Sequence, residues 1–147
     1  MFSPNEILHN TYVLKKAYDT LCEEIAAEHS MTRVEVDILA FLAANPQYNT
    51  ARDVAGFRMI AKSHVSKATD ALMARGFLRT EPDRIDRRKI RLYPTEAASE
   101  IIDVIHRQTE CFAEEAVRGF SEEEKELLLR LSVRIAENAQ NMIKDQT

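Results

Sequence analysis

Residues 49–78, NTARDVAGFRMIAKSHVSKATDALMARGFL, decide the fold. Asn49-Thr50 can cap a short helix, and Ala51, Val54 and Ala55 mark its apolar side. A turn follows over about Arg58 to Ala61. A second helix then carries an inner stripe of Val65, Ala68, Thr69 and Leu72, at the three- and four-residue spacing of one helical face. Gly76 suits the left-handed cap that ends many helices. Two helices joined by so short a turn form a helix-turn-helix, whose second helix enters the DNA major groove.

Downstream, the period changes from helical to alternating. Phe77–Glu81 and Lys89–Tyr93 predict two short strands, and Pro82 to Arg88 form the charged loop between them. The arginines of that loop have nothing to bury against and should face outwards. Upstream, Leu14, Tyr18, Leu21 and Ile25 predict a helix over 5–27. Thr32-Arg33-Val34-Glu35 has the spacing of a capping box for the next helix, which should stop at Asn45-Pro46. Beyond the hairpin, Thr95-Glu96 opens a long helix that Gly119 interrupts. Ser121–Glu124 is a second capping box for a last helix reaching about Lys144. The fold class is therefore mainly α with a small β-hairpin wing.

Length and composition fit this. The 147 residues suit one domain, here 1–147, and 45% hydrophobic content supplies a core. Three glycines and four prolines favour long helices. No stretch approaches the roughly 20 apolar residues of a membrane span, and the N-terminus does not read as a secretory signal, so a cytoplasmic protein is expected. Cys22 and Cys111 are too few for a disulfide framework. His9, His29, His64 and His106 share no metal-ligand spacing, and no phosphate-binding loop or catalytic pair is present, which argues against an enzyme.

Charge points to the partner. The chain carries −4 overall, yet 58–91 holds ten basic residues (Arg58, Lys62, Lys67, Arg75, Arg79, Arg84, Arg87, Arg88, Lys89, Arg91) against four acids. A basic segment inside an acidic frame binds a polyanion with one face. On the candidate recognition helix, Lys62, Ser63, His64, Ser66 and Lys67 can meet base edges and phosphates. In the wing, Arg84 and Arg87 add positive charge. Arg88 can enter a narrow minor groove, and Asp86 can hold its guanidinium by a directed ion pair.

These segments, with TRVEVDILAFL (32–42), DRIDRRKIRL (83–92) and TEAA (95–98), resemble the multiple-antibiotic-resistance regulator (MarR) family over essentially the whole chain. The family's wing Asp-x-Arg falls on Asp86 and Arg88, and its helix-opening Thr on Thr95. The resemblance implies an obligate homodimer. Residues 1–30 and 95–147 would be its dimerisation helices and 32–94 its winged helix-turn-helix DNA-binding lobe. It implies a repressor that binds a pseudo-palindromic double-stranded DNA operator. It further implies a small aromatic or phenolic effector in a cleft between the dimerisation helices and the DNA-reading lobe. Two positions depart from the pattern. Ala98 replaces a frequent glycine, and His64 stands where a small hydroxyl residue is usual, so the operator sequence does not carry over.

Two rival readings share the fold. Cys22, near Tyr12 and Tyr18, is the residue through which a redox-sensing regulator would work, although Glu23 and Glu24 would raise its pKa. A winged-helix protein-interaction module that does not bind DNA is the other. On the long helix, His106, Arg107 and Glu110 are candidates to line a ligand cavity.

Overall fold

The computed structural model describes residues 3–144. Met1, Phe2 and residues 145–147, which carry the outer ends of the domain bounds above, lie outside the described residues. Six α-helices and one hairpin follow in order: α1 (Pro4–Glu28), α2 (Arg33–Ala44), α3 (Ala51–Arg58), α4 (Lys62–Ala74), β1 (Leu78–Pro82), β2 (Ile90–Pro94), α5 (Ser99–Ala116) and α6 (Glu122–Lys144). A 3-10 turn, Glu96–Ala98, precedes α5. The chain divides into two compact units, 1–111 and 112–147.

Local chemistry sets most boundaries. In α2, the Thr32 hydroxyl accepts from the Glu35 amide at 3.2 Å, and Glu35 accepts from the Thr32 amide at 2.6 Å. Thr50 and Asp53 repeat this reciprocal arrangement at α3, both at 3.1 Å. Ser121 and Glu124 do so ahead of α6. At the end of α4, Gly76 takes φ +74°. The Phe77 amide returns to the Leu72 carbonyl at 2.9 Å and the Gly76 amide to Met73 at 3.0 Å, the paired bonds of a Schellman stop.

The two strands lie one residue later than their alternation predicts. Phe77 is taken up by the helix stop, so β1 begins at Leu78 and ends at Pro82, where a missing N–H is harmless at the close of an edge strand. Thr95 does not cap with its side chain. Its hydroxyl donates instead to the Gly76 carbonyl, tying the exit of the hairpin to its entrance. Ala98, in place of glycine, is fully buried in the 3-10 turn and needs no special backbone freedom there.

The core lies in the first unit. Ile25 of α1, Val36, Ile38, Leu39 and Leu42 of α2, Val54 of α3, and Val65 and Leu72 of α4 are all at most 2% exposed. Leu78, Leu92, Ala98, Ile101 and Ile105 close it from the hairpin and α5. One polar network runs beside this core. Asp37 accepts from Arg33 Nε at 3.1 Å and lies 3.9 Å from Arg58, while Arg33 also pairs with Asp19 at 2.9 Å. The network ties α1, α2 and the end of α3 with alternating charge. In the second unit, α6 buries none of its residues, and Leu127, Leu128, Leu131 and Ile135 are all exposed in the single chain.

Leu72 is the one α4 side chain that is both fully buried and part of the helix stop. Truncating it to alanine is expected to lower unfolding free energy by about 2–5 kcal/mol, the range for buried leucines. Urea unfolding followed by circular dichroism measures this. A loss below about 1 kcal/mol would mean that α4 is not held by its apolar stripe.

Candidate nucleic-acid interface

α4 is buried along Val65, Ala68, Thr69 and Leu72 only. That stripe turns Lys62, Ser63, His64, Ser66 and Lys67 to the outside, and all five are exposed. Neither lysine has an ion pair among the described residues. His64 and Lys67 flank a largely apolar groove of about 330 Å³ whose other walls include Val34, Ala68 and Ala71. The helix begins at Ala61, which offers no side-chain cap, so the positive end of its dipole is not neutralised by its own sequence.

The wing brings its predicted residues together. Arg84, Arg87 and Arg88 are exposed, and the Arg88 side chain is 93% accessible. Asp86 Oδ1 accepts from the Arg88 amide at 3.2 Å and from its Nε at 3.3 Å. The aspartate thus aims the guanidinium as the sequence suggested, although a pair so exposed adds little stability by itself.

The residue that builds the loop is Asp83, to which sequence reasoning assigned no role. Its Oδ2 accepts from the amides of Ile85 (3.1 Å) and Asp86 (2.9 Å), and its Oδ1 from Arg91 Nε at 2.9 Å. The Asp83 amide donates to Lys89 O and the Lys89 amide to Asp86 O. Donation from the Asp86 amide, then from the Arg91 guanidinium, draws the Asp83 carboxyl down to about 2. An aspartate followed two and three residues later by free amides is a turn signature, so a local signal existed. Its link to Arg91 and onward to Asn49, 42 residues away from that arginine, had none.

The ten cations of 58–91 are not one surface. Arg75 donates to the carbonyls of Ser30 and His29 and covers the Phe77 ring. Arg79 pairs with Glu81 and stacks 4.5 Å from the Tyr93 ring. Arg58 sits beside Asp37 over Phe41, and Arg91 is bound within the wing. The cations left to solvent are Lys62, Lys67, Arg84, Arg87, Arg88 and Lys89, on α4 and the wing loop.

Cys22 is 1% exposed, and burial pushes its thiol pKa up. It is therefore held as the neutral thiol, the unreactive form. Cys111 is exposed in the single chain. Tyr18, whose hydroxyl burial also raises, borders a cleft of about 340 Å³ with Ala40, Arg58, Ile102, His106 and Thr109. Of the three residues considered for a cavity on α5, His106 lines this cleft. Glu110 pairs with His106 at 3.2 Å, and Arg107 Nε donates to the Asp103 carbonyl. No helix among the described residues is long and apolar enough to cross a membrane.

A helix-turn-helix followed by a two-stranded wing, with its free cations gathered on the second helix and the wing loop, defines the winged helix-turn-helix class of DNA-binding proteins. Comparisons with known proteins narrow the class. Residues 29–89 match the family model of the MarR family. The uncharacterized HTH-type transcriptional regulator YybA of Bacillus subtilis (strain 168) is 25% identical over 134 residues, covering 91% of this chain and 89% of its own. The fold matches that of the transcriptional regulator SlyA with a TM-score of 0.79 at 22% identity, covering 96% of this chain and 99% of that one. It also matches a MarR-family regulator of Listeria monocytogenes, solved in complex with a 26mer DNA, with a TM-score of 0.81 at 22% identity, covering 94% and 89%. Residues 29–89 thus resemble the MarR family, and the chain has the winged-helix fold of the MarR-family structures it matches.

Two outcomes test the site's construction. The Asp83 carboxyl should titrate at about 2 by carbon NMR, against 3.8 for an ordinary aspartate. Its folded pKa is depressed, so its contribution to wing stability is complete above about pH 4 and drains away as pH falls through about 2. A midpoint near 4 would mean that the turn is not formed. Cys22, in the native protein at pH 8, should resist alkylation when followed by mass spectrometry, and rapid labelling there would contradict its burial.

Proposed function

We propose that the protein acts as a homodimeric repressor that reads a pseudo-palindromic operator, one half-site per recognition helix. Lys62, Ser63, His64, Ser66 and Lys67 meet bases and phosphates in the major groove. Arg88, aimed by Asp86, enters the minor groove, and Arg84 and Arg87 meet the flanking phosphates. The observation that carries this reading is the coincidence of the two free cationic surfaces with the two docking elements of the fold. Repression follows by occlusion wherever the operator overlaps a promoter.

The dimer reading is supported by α1 and α6. Leu8, Tyr12, Val13 and Leu14 of α1, with Leu127, Leu128, Leu131 and Ile135 of α6, leave apolar rows uncovered in the single chain. Rows of this size on amphipathic helices require a partner, and a second copy supplies matching rows. A dimer also gives the two recognition helices the separation of about one DNA turn, ~34 Å, that a two-fold operator demands.

The cleft beside Tyr18 supports response to a small aromatic or phenolic effector. Its volume of about 340 Å³ falls at the lower end of the range for small-molecule sites, ~300–1,000 Å³. Alanine and isoleucine walls suit a ring, and Arg58 and His106 suit its polar substituents. Arg58 closes α3, so a ligand touching it bears directly on the first helix of the DNA-reading pair.

Selection of bound duplexes from a random pool, then titration of the winner at several salt concentrations, tests the operator reading. The expected result is a two-fold-related motif with affinity that falls steeply with salt. Arg88→Ala should weaken binding to that motif by about 1–3 kcal/mol. Weak duplex binding with no motif and little salt dependence would instead favour a protein-interaction module.

A further inference from the structure

We propose that Arg91, counted by sequence among the cations available to DNA, is a positioning residue that fixes where the wing carries Arg88. The inference rests on the DNA-binding reading above and assigns to a partly buried network the register between the wing and the recognition helix.

A two-stranded hairpin alone is marginally stable, and this one buries only Leu78 and Leu92. Something else must set its pitch. A third segment does so: the Leu92 amide donates to the Asn49 carbonyl at 2.7 Å, the Asn49 side-chain amide donates to the Leu92 carbonyl at 3.2 Å, and Thr50 bridges to Arg91. Asn49 is 5% exposed and immediately precedes Thr50, the cap of α3. Arg91 then joins this anchor to the loop. Its Nη1 donates to Asn49 Oδ1 at 2.9 Å and its Nε to Asp83 Oδ1 at 2.9 Å. Asp83 holds the Asp86 amide, and Asp86 holds Arg88. One continuous chain of hydrogen bonds therefore runs from the base of α3 to the guanidinium of Arg88. The planar fork of Arg91 fixes two acceptors in a set geometry, which a lysine ammonium on a flexible stem does not reproduce. Arg91 is 27% accessible at its side chain against 93% for Arg88, so it supports the wing rather than presenting its charge.

The sign of a single charge removal separates this role from a phosphate contact. Asp83→Asn deletes a negative charge from a DNA-facing loop, which on charge alone would tighten operator binding. If Asp83 and Arg91 position the wing, Asp83→Asn weakens binding instead, by roughly fivefold or more, and Arg91→Lys does the same with its charge retained. The decisive measurement is a double-mutant cycle with the full-length protein on the selected operator. Arg88→Ala should cost roughly tenfold in the wild type but less than about threefold in the Asp83→Asn and Arg91→Lys backgrounds, because a wing already out of register has no contact left to lose. Thermal melts within a few degrees of wild type would show that the lobe still folds. An Asp83→Asn protein that binds as well or better, an Arg91→Lys protein that binds normally, or an Arg88→Ala cost equal in all backgrounds overturns the inference. An Arg88→Ala change without effect in the wild type overturns the wing contact itself, and the inference with it.

Discussion

The docking of α4 through one narrow stripe is the constraint on which the molecule depends. Val65, Ala68, Thr69 and Leu72 are all a 13-residue helix buries. A wider apolar face would seat the helix more firmly and leave fewer positions free to meet DNA. A narrower one would not hold it. Its stability is consequently borrowed from its neighbours: α2 lies under the stripe with seven buried residues, and Gly76 stops the helix so that Leu78 can enter the same core. The tight stop also fixes the start of β1. The wing and the recognition helix are thus outputs of one packing solution, not two modules in series.

Charge is distributed by the same logic. Net charge alone, at −4, says little about a polyanion partner. What matters is which cations are already spent. Arg58, Arg75, Arg79 and Arg91 each satisfy a carboxylate, a carbonyl or an aromatic ring within the chain, so their positive charge is partly neutralised or turned inward. The other six are exposed, Arg88 while paired with Asp86, and lie on α4 and the wing loop. Long-range attraction to DNA then comes from a small set, and the acidic remainder of the chain discourages contact by other faces.

Legibility from sequence followed range. Most features set by residues within a few positions could be read: the capping boxes at Thr32 and Ser121, the stripe of α4, the left-handed Gly76, the exposure of Arg87 and Arg88, and the Asp86–Arg88 pair, with the Asp83 turn the local feature that was missed. Where contacts span 40 residues or more, the reading failed. Arg75 reaching His29 and Ser30, and Arg91 reaching Asn49, look in sequence like two more members of a basic run. The cleft beside Tyr18 draws on α1, α2, α3 and α5, and only His106 had been singled out as a lining residue. The one-residue offset of the strands has a local origin instead: the alternation of Phe77 with its neighbours carries no sign that its amide is already committed to Leu72, five residues back.

The helix-turn-helix turn departs from local preference more than the segments around it do. Met59 sits at φ +53°, in the left-handed region that a side chain with a Cβ enters at a cost of about 1 kcal/mol or more. Two residues later, Ala61 begins α4 without the side-chain hydrogen bond that α1, α2 and α3 all have, forgoing about 1 kcal/mol again. Both costs fall on the three residues between the paired helices. Neither is relieved locally, and the left-handed Met59 is what lets Ile60 turn back against the core while its amide bonds Ala55. The uncapped start keeps the first turn of α4 free of any neutralising side chain, and that turn carries Lys62 and Ser63. Stability is therefore given up at the start of α4 and recovered further along the helix by Val65 and Leu72. Local rules fail at Met59 because the turn is set by packing Ile60 against the core, and the uncapped start of α4 is what the proposed docking of that turn on DNA would use.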